Sequence, residues 1–181
     1  KLCGGKGSVG QQNTGRIIDI TNPIACSFIE AVLSEYAQLF IECGCTEIDL
    51  GGDEPFGEGK DSIDTNVSVW KQLDHWKAYA QKVTGNMDAV AYDAFVMYLN
   101  NMADFVEKLG YKVRMWNDGV WTIEGLQSIP EYRQSIRDMD WKAVATVDRD
   151  IEIQYWTMPI RPEYYLKEGY KIYNYDNVYE Y

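Results

Sequence analysis

The apolar positions of the chain follow two periods. Between Pro23 and Glu42, Ala25, Phe28, Ile29, Val32, Leu33, Tyr36, Leu39 and Phe40 recur every three or four residues, so they share one face of a helix. Asn22 is placed to cap that helix, and Pro23 falls in its first turn, where a missing N–H costs nothing. The helix is expected to stop near Gly44. The same spacing returns over Asp88–Leu109, with Ala91, Phe95, Tyr98, Leu99, Met102, Phe105, Val106 and Leu109 on the stripe. Gly110 follows in the position that suits a left-handed helix end. Alternation of period two marks strands over Thr46–Leu50, Tyr111–Trp116, Ile151–Trp156 and Tyr170–Asn174. Arg161–Gly169 reads as a short helix. Residues 1–16 read as a loop. Residues 55–87 read as a long connection, of the kind that forms a lid, with a short helix around Val69–Tyr79. Residues 120–149 show no clear period.

Strands that alternate with helices predict an α/β fold with a parallel sheet. The predicted strands end in residues with chemistry: Asp53 and Glu54, then Trp116, Asn117 and Asp118, then Trp156, then Asn174 and Tyr175. In a (β/α)8 barrel the active site lies at those strand ends, and an open doubly wound sheet also binds ligands there. The chain carries no glycine-rich phosphate loop, so nucleotide binding has no support.

Composition narrows the chemistry. The chain has 28 acidic against 17 basic residues, a net charge of −11, which argues against a nucleic-acid partner. Its single histidine, His75, leaves little for a histidine-rich metal site or a Ser-His-Asp triad, and it is expected on a loop or surface. Six Trp and 14 Tyr beside abundant carboxylates suit neutral polar ligands such as sugars, which offer hydroxyls to acids and C–H faces to rings. Cys3, Cys26, Cys43 and Cys45 have no zinc-ligand spacing, and Cys26 is expected as a buried free thiol on the first helix. No apolar run approaches the ~20 residues of a membrane span, so none is expected. The chain begins at Lys1 and ends inside strand-like sequence, and both ends read as cut.

Asp53-Glu54 is the strongest local feature. Gly51-Gly52 before it allow close backbone approach, and the preceding strand aims the pair at the strand mouth. Adjacent carboxylates repel, so one can hold its proton near neutral pH while the other stays ionised. That division of labour is what glycosidic bond cleavage requires. A turn in which Asp and Gly only satisfy backbone groups is the simpler alternative. A carboxylate metal site is a weaker one, because EF-hand spacing is lacking.

Asp49-Leu50-Gly51-Gly52-Asp53-Glu54 resembles the H-x-G-G-D-E signature of glycoside hydrolase family 20, with Asp49 where the family often has His. Further blocks agree in order: Asp19–Pro23 before a helix, Met115–Gly119, Ile153–Trp156 and Gly169–Ile172. The resemblance implies a partial (β/α)8 barrel, about its second half (strands 4–7), with residues 1–181 forming one incomplete catalytic domain. It also implies a glycosidase that removes terminal β-linked N-acetylhexosamine, in which the substrate's own acetamido oxygen attacks C1 and the configuration is retained. By resemblance Glu54 is the acid/base and Asp53 orients the acetamido group. Trp116 and Trp156 wall the pocket, and Asp118 bonds a sugar hydroxyl. Tyr179 or Tyr181 holds the acetamido oxygen. No metal and no cofactor is implied. Trp70, Trp76, Trp121 and Trp141 are expected to serve packing, with Trp121 also a candidate for the aglycone edge.

A full barrel needs roughly 250 residues, so earlier strands and the final one are expected to be missing. The isolated piece is then expected to be weak or inactive and to be prone to homodimer formation through its open face. The expected partner is an N-acetylhexosamine-containing glycan, and the expected location of the parent is secreted or on a bacterial cell surface. Alternatives are a lacto-N-biosidase of the same family and a non-catalytic carbohydrate-binding module.

Overall fold

The computed structural model describes residues 18–53, 73–129, 145–156 and 160–175. Helix α1 spans Pro23–Glu42 and strand β1 spans Glu47–Asp49. Helices α2, Asp74–Thr84, and α3, Ala91–Lys108, precede strand β2, Lys112–Trp116. A 3-10 turn at Asn117–Gly119 and helix α4, Ile123–Gln127, come next. Strand β3, Glu152–Tyr155, helix α5, Pro162–Lys167, and strand β4, Ile172–Asn174, complete the order. The sheet runs β1-β2-β3-β4 with every neighbouring pair parallel. This is the α/β arrangement that the alternating pattern predicts, in simple sequential order.

Local chemistry explains the ends of the elements. The Asn22 side chain accepts the Ile24 N–H at 3.0 Å and caps α1, which begins at Pro23 as expected. Asp93 is fully buried in the first turn of α3. Its carboxylate accepts the Val90 N–H at 2.7 Å and the Ala145 N–H at 3.0 Å, so it caps the helix and holds the approach to β3. Leu109 closes α3, and Gly110 follows at φ +95°. The short helix expected around Val69–Tyr79 is described over Asp74–Thr84, and residues 69–72 lie outside the described residues. It is anchored by Trp76 and Ala80, which are buried against α3 in the core. Within residues 120–149, which show no clear period, Thr122 accepts the Gly125 N–H at 3.1 Å and starts α4.

The two faces of the sheet have opposite character. Ile48, Val113, Met115, Ile153 and Tyr155 point one way and are buried with Leu99 and Val106 of α3 and Tyr165 of α5. The other face carries Glu47, Asp49, Arg114, Trp116, Glu152, Gln154 and Tyr173. There Arg114 bonds Glu47 at 2.7 Å and Glu152 at 3.4 Å, and its guanidinium lies 4.0 Å from the centre of the Tyr173 ring. Lys171 approaches Glu152 at 3.4 Å. Burial alone would raise the Glu152 pKa, but hydrogen bonds from Tyr173, Arg114 and Lys171 outweigh it and hold the carboxyl below its usual value. One polar layer thus ties all four strands together below the strand mouths.

Helix α1 departs from the expected burial. Only Ala25 and Ala37 are buried on it, while Phe28, Tyr36 and Leu39 are each more than half exposed. The apolar stripe is present, but the described residues place little against it. The helix is held at Ala37, whose carbonyl accepts a hydrogen bond from the Tyr111 hydroxyl. By length and composition alone, its 20 residues, with a mean hydropathy of 1.4 over the most apolar window, could cross a membrane, whereas no such stretch is expected from the sequence. Cys26 is only partly buried. Its thiol donates to the Ile20 carbonyl at 3.3 Å, and burial pushes its pKa up, with Glu30 and Asp19 adding to the effect.

Candidate active site

The site is built where the four strands end. The ladder between β1 and β2 continues past β1: the Leu50 N–H donates to Arg114 O and the Trp116 N–H donates to Gly51 O, both at 2.9 Å. Beyond that point Gly51 (φ +72°) and Gly52 (φ +84°) turn the chain through backbone angles that favour glycine. A Cβ on Gly52 would stand 2.9 Å from the Met115 methyl. A Cβ on Gly119 would overlap the Gly52 carbonyl oxygen and stand 3.3 Å from its carbon. The turn after β1 and the turn after β2 therefore touch, and only glycine permits the contact. Asp53 leaves this pair of turns exposed to solvent.

Three aromatic residues stand on the neighbouring strand ends. The rings of Trp116 and Trp156 meet edge to face, 6.3 Å apart at 78°. Tyr175 also meets the Trp116 ring edge to face, 5.4 Å away at 66°. Trp116 is half-buried, whereas Trp156 and Tyr175 are 38% and 46% exposed. Such a cluster offers ring faces to a ligand while its edges are braced by one another. Its placement is enforced from beneath. Asn117 is 1% exposed, and its side-chain oxygen accepts the Trp156 N–H at 3.0 Å, which joins the ends of β2 and β3. The Tyr175 N–H donates to Tyr155 O at 2.6 Å, which joins β3 and β4.

The turn after β2 is clamped by two buried tyrosines from different helices. The Tyr165 hydroxyl of α5 lies 3.1 Å from Asn117 O and 3.0 Å from Val120 O. The Tyr92 hydroxyl of α3 donates to Gly119 O at 3.2 Å and accepts the Trp121 N–H at 2.8 Å. Burial raises the Tyr92 pKa well above its ordinary value, so the hydroxyl keeps the proton it donates.

Of the residues singled out in the sequence, Asp53, Trp116 and Trp156 come to one edge of the sheet. Asp118 contributes its backbone to the turn beside Trp116, and its side chain lies outside what is described. Glu54, Tyr179 and Tyr181 lie outside the described residues, as do Trp70 and Trp141. Trp76 is in the core as expected. Trp121 also packs in the core as expected, 8% exposed and stacked on Tyr92 at 4.7 Å and 9°. His75 is 41% exposed near the start of α2, with Nε2 3.7 Å from an Asp19 carboxylate oxygen. Among the described residues there is no cluster of three or more metal-ligating side chains.

Sequence reasoning had not placed Tyr175, Asn117, Asp49 or Gln154 in the site. The first two were visible as strand-end residues, but their roles depend on which strands become neighbours. Asp49 and Gln154 looked like ordinary polar positions of alternating strands.

Comparison with known proteins gives this geometry a context. Glycosyl hydrolase family 20, catalytic domain, matches residues 5–179. A lacto-N-biosidase of Bifidobacterium bifidum is 26% identical over 158 residues, covering 87% of this chain and 11% of that protein. The structure of Dispersin B superposes with a TM-score of 0.54 at 21% identity, covering 92% of this chain and 38% of the other. An exo-β-N-acetylglucosaminidase of Vibrio harveyi, solved with N-acetylglucosamine, gives a TM-score of 0.58 at 18% identity, covering 96% and 22%. The chain spans well under half the length of each of these relatives. At these identities the solved structures speak for the fold, a partial (β/α)8 barrel.

Proposed function

The chain belongs to glycosyl hydrolase family 20, and we propose that it carries the acid pair and aromatic wall of a glycosidase that removes terminal β-linked N-acetylhexosamine. The observation that carries this reading is the meeting of Trp116, Trp156 and Tyr175 on the strand ends next to the Gly51-Gly52-Asp53 turn. Ring faces for a pyranose and an exposed carboxylate then belong to one sheet edge. A turn whose acids only satisfy backbone groups would need no such wall.

In the proposed reaction Glu54 gives its proton to the glycosidic oxygen as the C1–O bond breaks. The substrate's acetamido oxygen forms a bond to C1 in its place, and Asp53 orients that group and faces the positive charge developing on its nitrogen. Water then attacks C1 and gives a proton to Glu54, and the acetamido C–O bond to C1 breaks, so the configuration at C1 is retained. Trp116 and Trp156 hold the acetamido methyl and the sugar ring against the reacting carbon, which limits the misalignment that most slows such a step. Asp118 binds a sugar hydroxyl, and Tyr179 or Tyr181 binds the acetamido oxygen. The chemistry draws on side chains and substrate alone.

Removal of a disaccharide unit, as in a lacto-N-biosidase, is the second reading, and the match to the Bifidobacterium bifidum enzyme supports it. Full-length protein assayed on nitrophenyl N-acetylglucosaminide and on the corresponding lacto-N-bioside separates the two. Glu54→Gln should abolish cleavage of the better substrate while preserving binding of a thiazoline mimic of the intermediate. Retained cleavage in that variant would remove Glu54 from its role. Binding without cleavage by the unaltered protein would favour a carbohydrate-binding module.

The four parallel strands among the described residues are half the number in a (β/α)8 barrel. We therefore expect the 181-residue chain alone to turn over poorly and to pair with a second copy through its open face. Normal turnover by a monomer in sedimentation would overturn both expectations. By analogy with the family, the proposed location is secreted or cell-surface.

A further inference from the structure

Above the Arg114 layer, the same sheet face holds a further polar link that the proposed chemistry does not use. Asp49 ends β1, five positions before Glu54. One of its carboxylate oxygens accepts the Gly51 N–H at 2.7 Å. The other accepts the Gln154 side-chain N–H at 2.6 Å, across β2, from a residue that is only 6% exposed. Gly51 in turn offers its carbonyl to the Trp116 N–H at 2.9 Å. Gln154 sits opposite Trp116 in the β2–β3 register and two residues before Trp156. Asp49 thus connects the glycine turn to both strands that carry the tryptophan wall.

We infer that Asp49 is a positioning residue, which clamps the Gly51-Gly52-Asp53 turn onto β3 by two hydrogen bonds and so fixes the direction in which Asp53 meets the wall. The inference rests on the proposed reaction for its catalytic consequence, but the clamp itself does not. Gly51 and Gly52 lie at positive φ, so this stretch of chain lacks the steric restraint that side chains give. A carboxylate that holds one end of it on the N–H of Gly51 restores that restraint. Both contacts are hydrogen bonds that a carboxamide can reproduce: an Asn oxygen can accept from Gly51, and Gln154 can turn its amide to offer oxygen to the Asn nitrogen. A role through charge could not be reproduced in this way.

The test compares Asp49→Ala, Asp49→Asn and Gln154→Ala in the full-length protein, by steady-state kinetics and by amide hydrogen exchange. Asp49→Ala should lower kcat by about tenfold to 100-fold with KM nearly unchanged, the size expected for a displacement of about 1 Å at the reacting groups. Gln154→Ala should lower kcat in the same direction. Asp49→Asn should keep kcat within about threefold and leave the pH profile of kcat/KM in place. Exchange at the Gly51 amide should speed up by about tenfold in Asp49→Ala and not in Asp49→Asn, while the Leu50 amide, bonded to Arg114, stays protected. Unchanged kcat in Asp49→Ala overturns the inference. So does an Asp49→Asn variant as impaired as Asp49→Ala, or with a displaced pH profile, because either outcome assigns the role to charge. If the unaltered protein cleaves no N-acetylhexosaminide, the proposed function fails instead, and unchanged Gly51 exchange in Asp49→Ala then overturns the clamp.

Discussion

The two tyrosines that hold the turn after β2 make a quantitative expectation. Tyr165→Phe keeps the ring, which is 1% exposed, and removes a hydroxyl that lies 3.1 Å from Asn117 O and 3.0 Å from Val120 O. Tyr92→Phe removes the donor to Gly119 O and the acceptor of the Trp121 N–H. Deleting one partner of a buried hydrogen bond costs about 1–3 kcal/mol, because the remaining group stays desolvated. Tyr92→Phe should sit in the upper part of that range, since it affects a backbone donor as well as an acceptor. The stacked pair with Trp121, 4.7 Å apart, should survive because no ring atom is lost. The two hydroxyls hold the same few residues, 117–121, so the double variant should not be additive, with a coupling of about 0.5 kcal/mol or more. Urea unfolding of the wild type, both single variants and the double variant gives the four free energies, with equal m values as the check on two-state behaviour. Tyr165→Phe within about 0.3 kcal/mol of wild type, or strictly additive variants, would refute the idea that these hydroxyls support one turn.

Other expectations follow from the same geometry. Gly119→Ala drives a methyl into the Gly52 carbonyl, so it should destabilise by about 1–3 kcal/mol and lower kcat although residue 119 is remote in sequence from the acid pair; a wild-type kcat in a folded variant would contradict the contact. Trp116→Ala removes the ring that touches both Trp156 and Tyr175 and should weaken thiazoline binding by about tenfold or more in calorimetry, and unchanged affinity would remove Trp116 from the wall. The Glu152 carboxyl is held below its usual value in the folded chain, so its contribution to stability is complete above the ordinary value of 4.5. That contribution is lost as pH falls from there through the folded value. Glu152→Gln should therefore flatten the acid side of a plot of stability against pH, and an unaltered acid limb would show that the Arg114 layer does not act through this group.

The sequence on its own determined the two long helices, the four strands and the chemistry at the strand ends. Asn22 with Pro23 favours a helix start, the stripe over Ala91–Lys108 marks a face to be buried, and alternation in Tyr111–Trp116 separated an apolar face from a polar one. These are local consequences of backbone geometry, with periods of 3.6 and 2 that any neighbour must respect. The Gly51-Gly52-Asp53-Glu54 run and the two tryptophan blocks were legible for the same reason, since each lies just beyond a strand. Tertiary structure decided what sequence spacing cannot encode. The apolar stripe on α1 is the clearest case, because periodicity marks which residues share a face but not what covers it, and Phe28, Tyr36 and Leu39 remain exposed. Trp121 is a packing residue as expected, but that it stacks on Tyr92 follows from the fold. Asp49 and Gln154, separated by 105 positions, became partners only because β1 and β3 flank β2 in the sheet. Strand order and register are set by the summed burial of whole elements, so contacts between strands follow from the fold and not from any one segment.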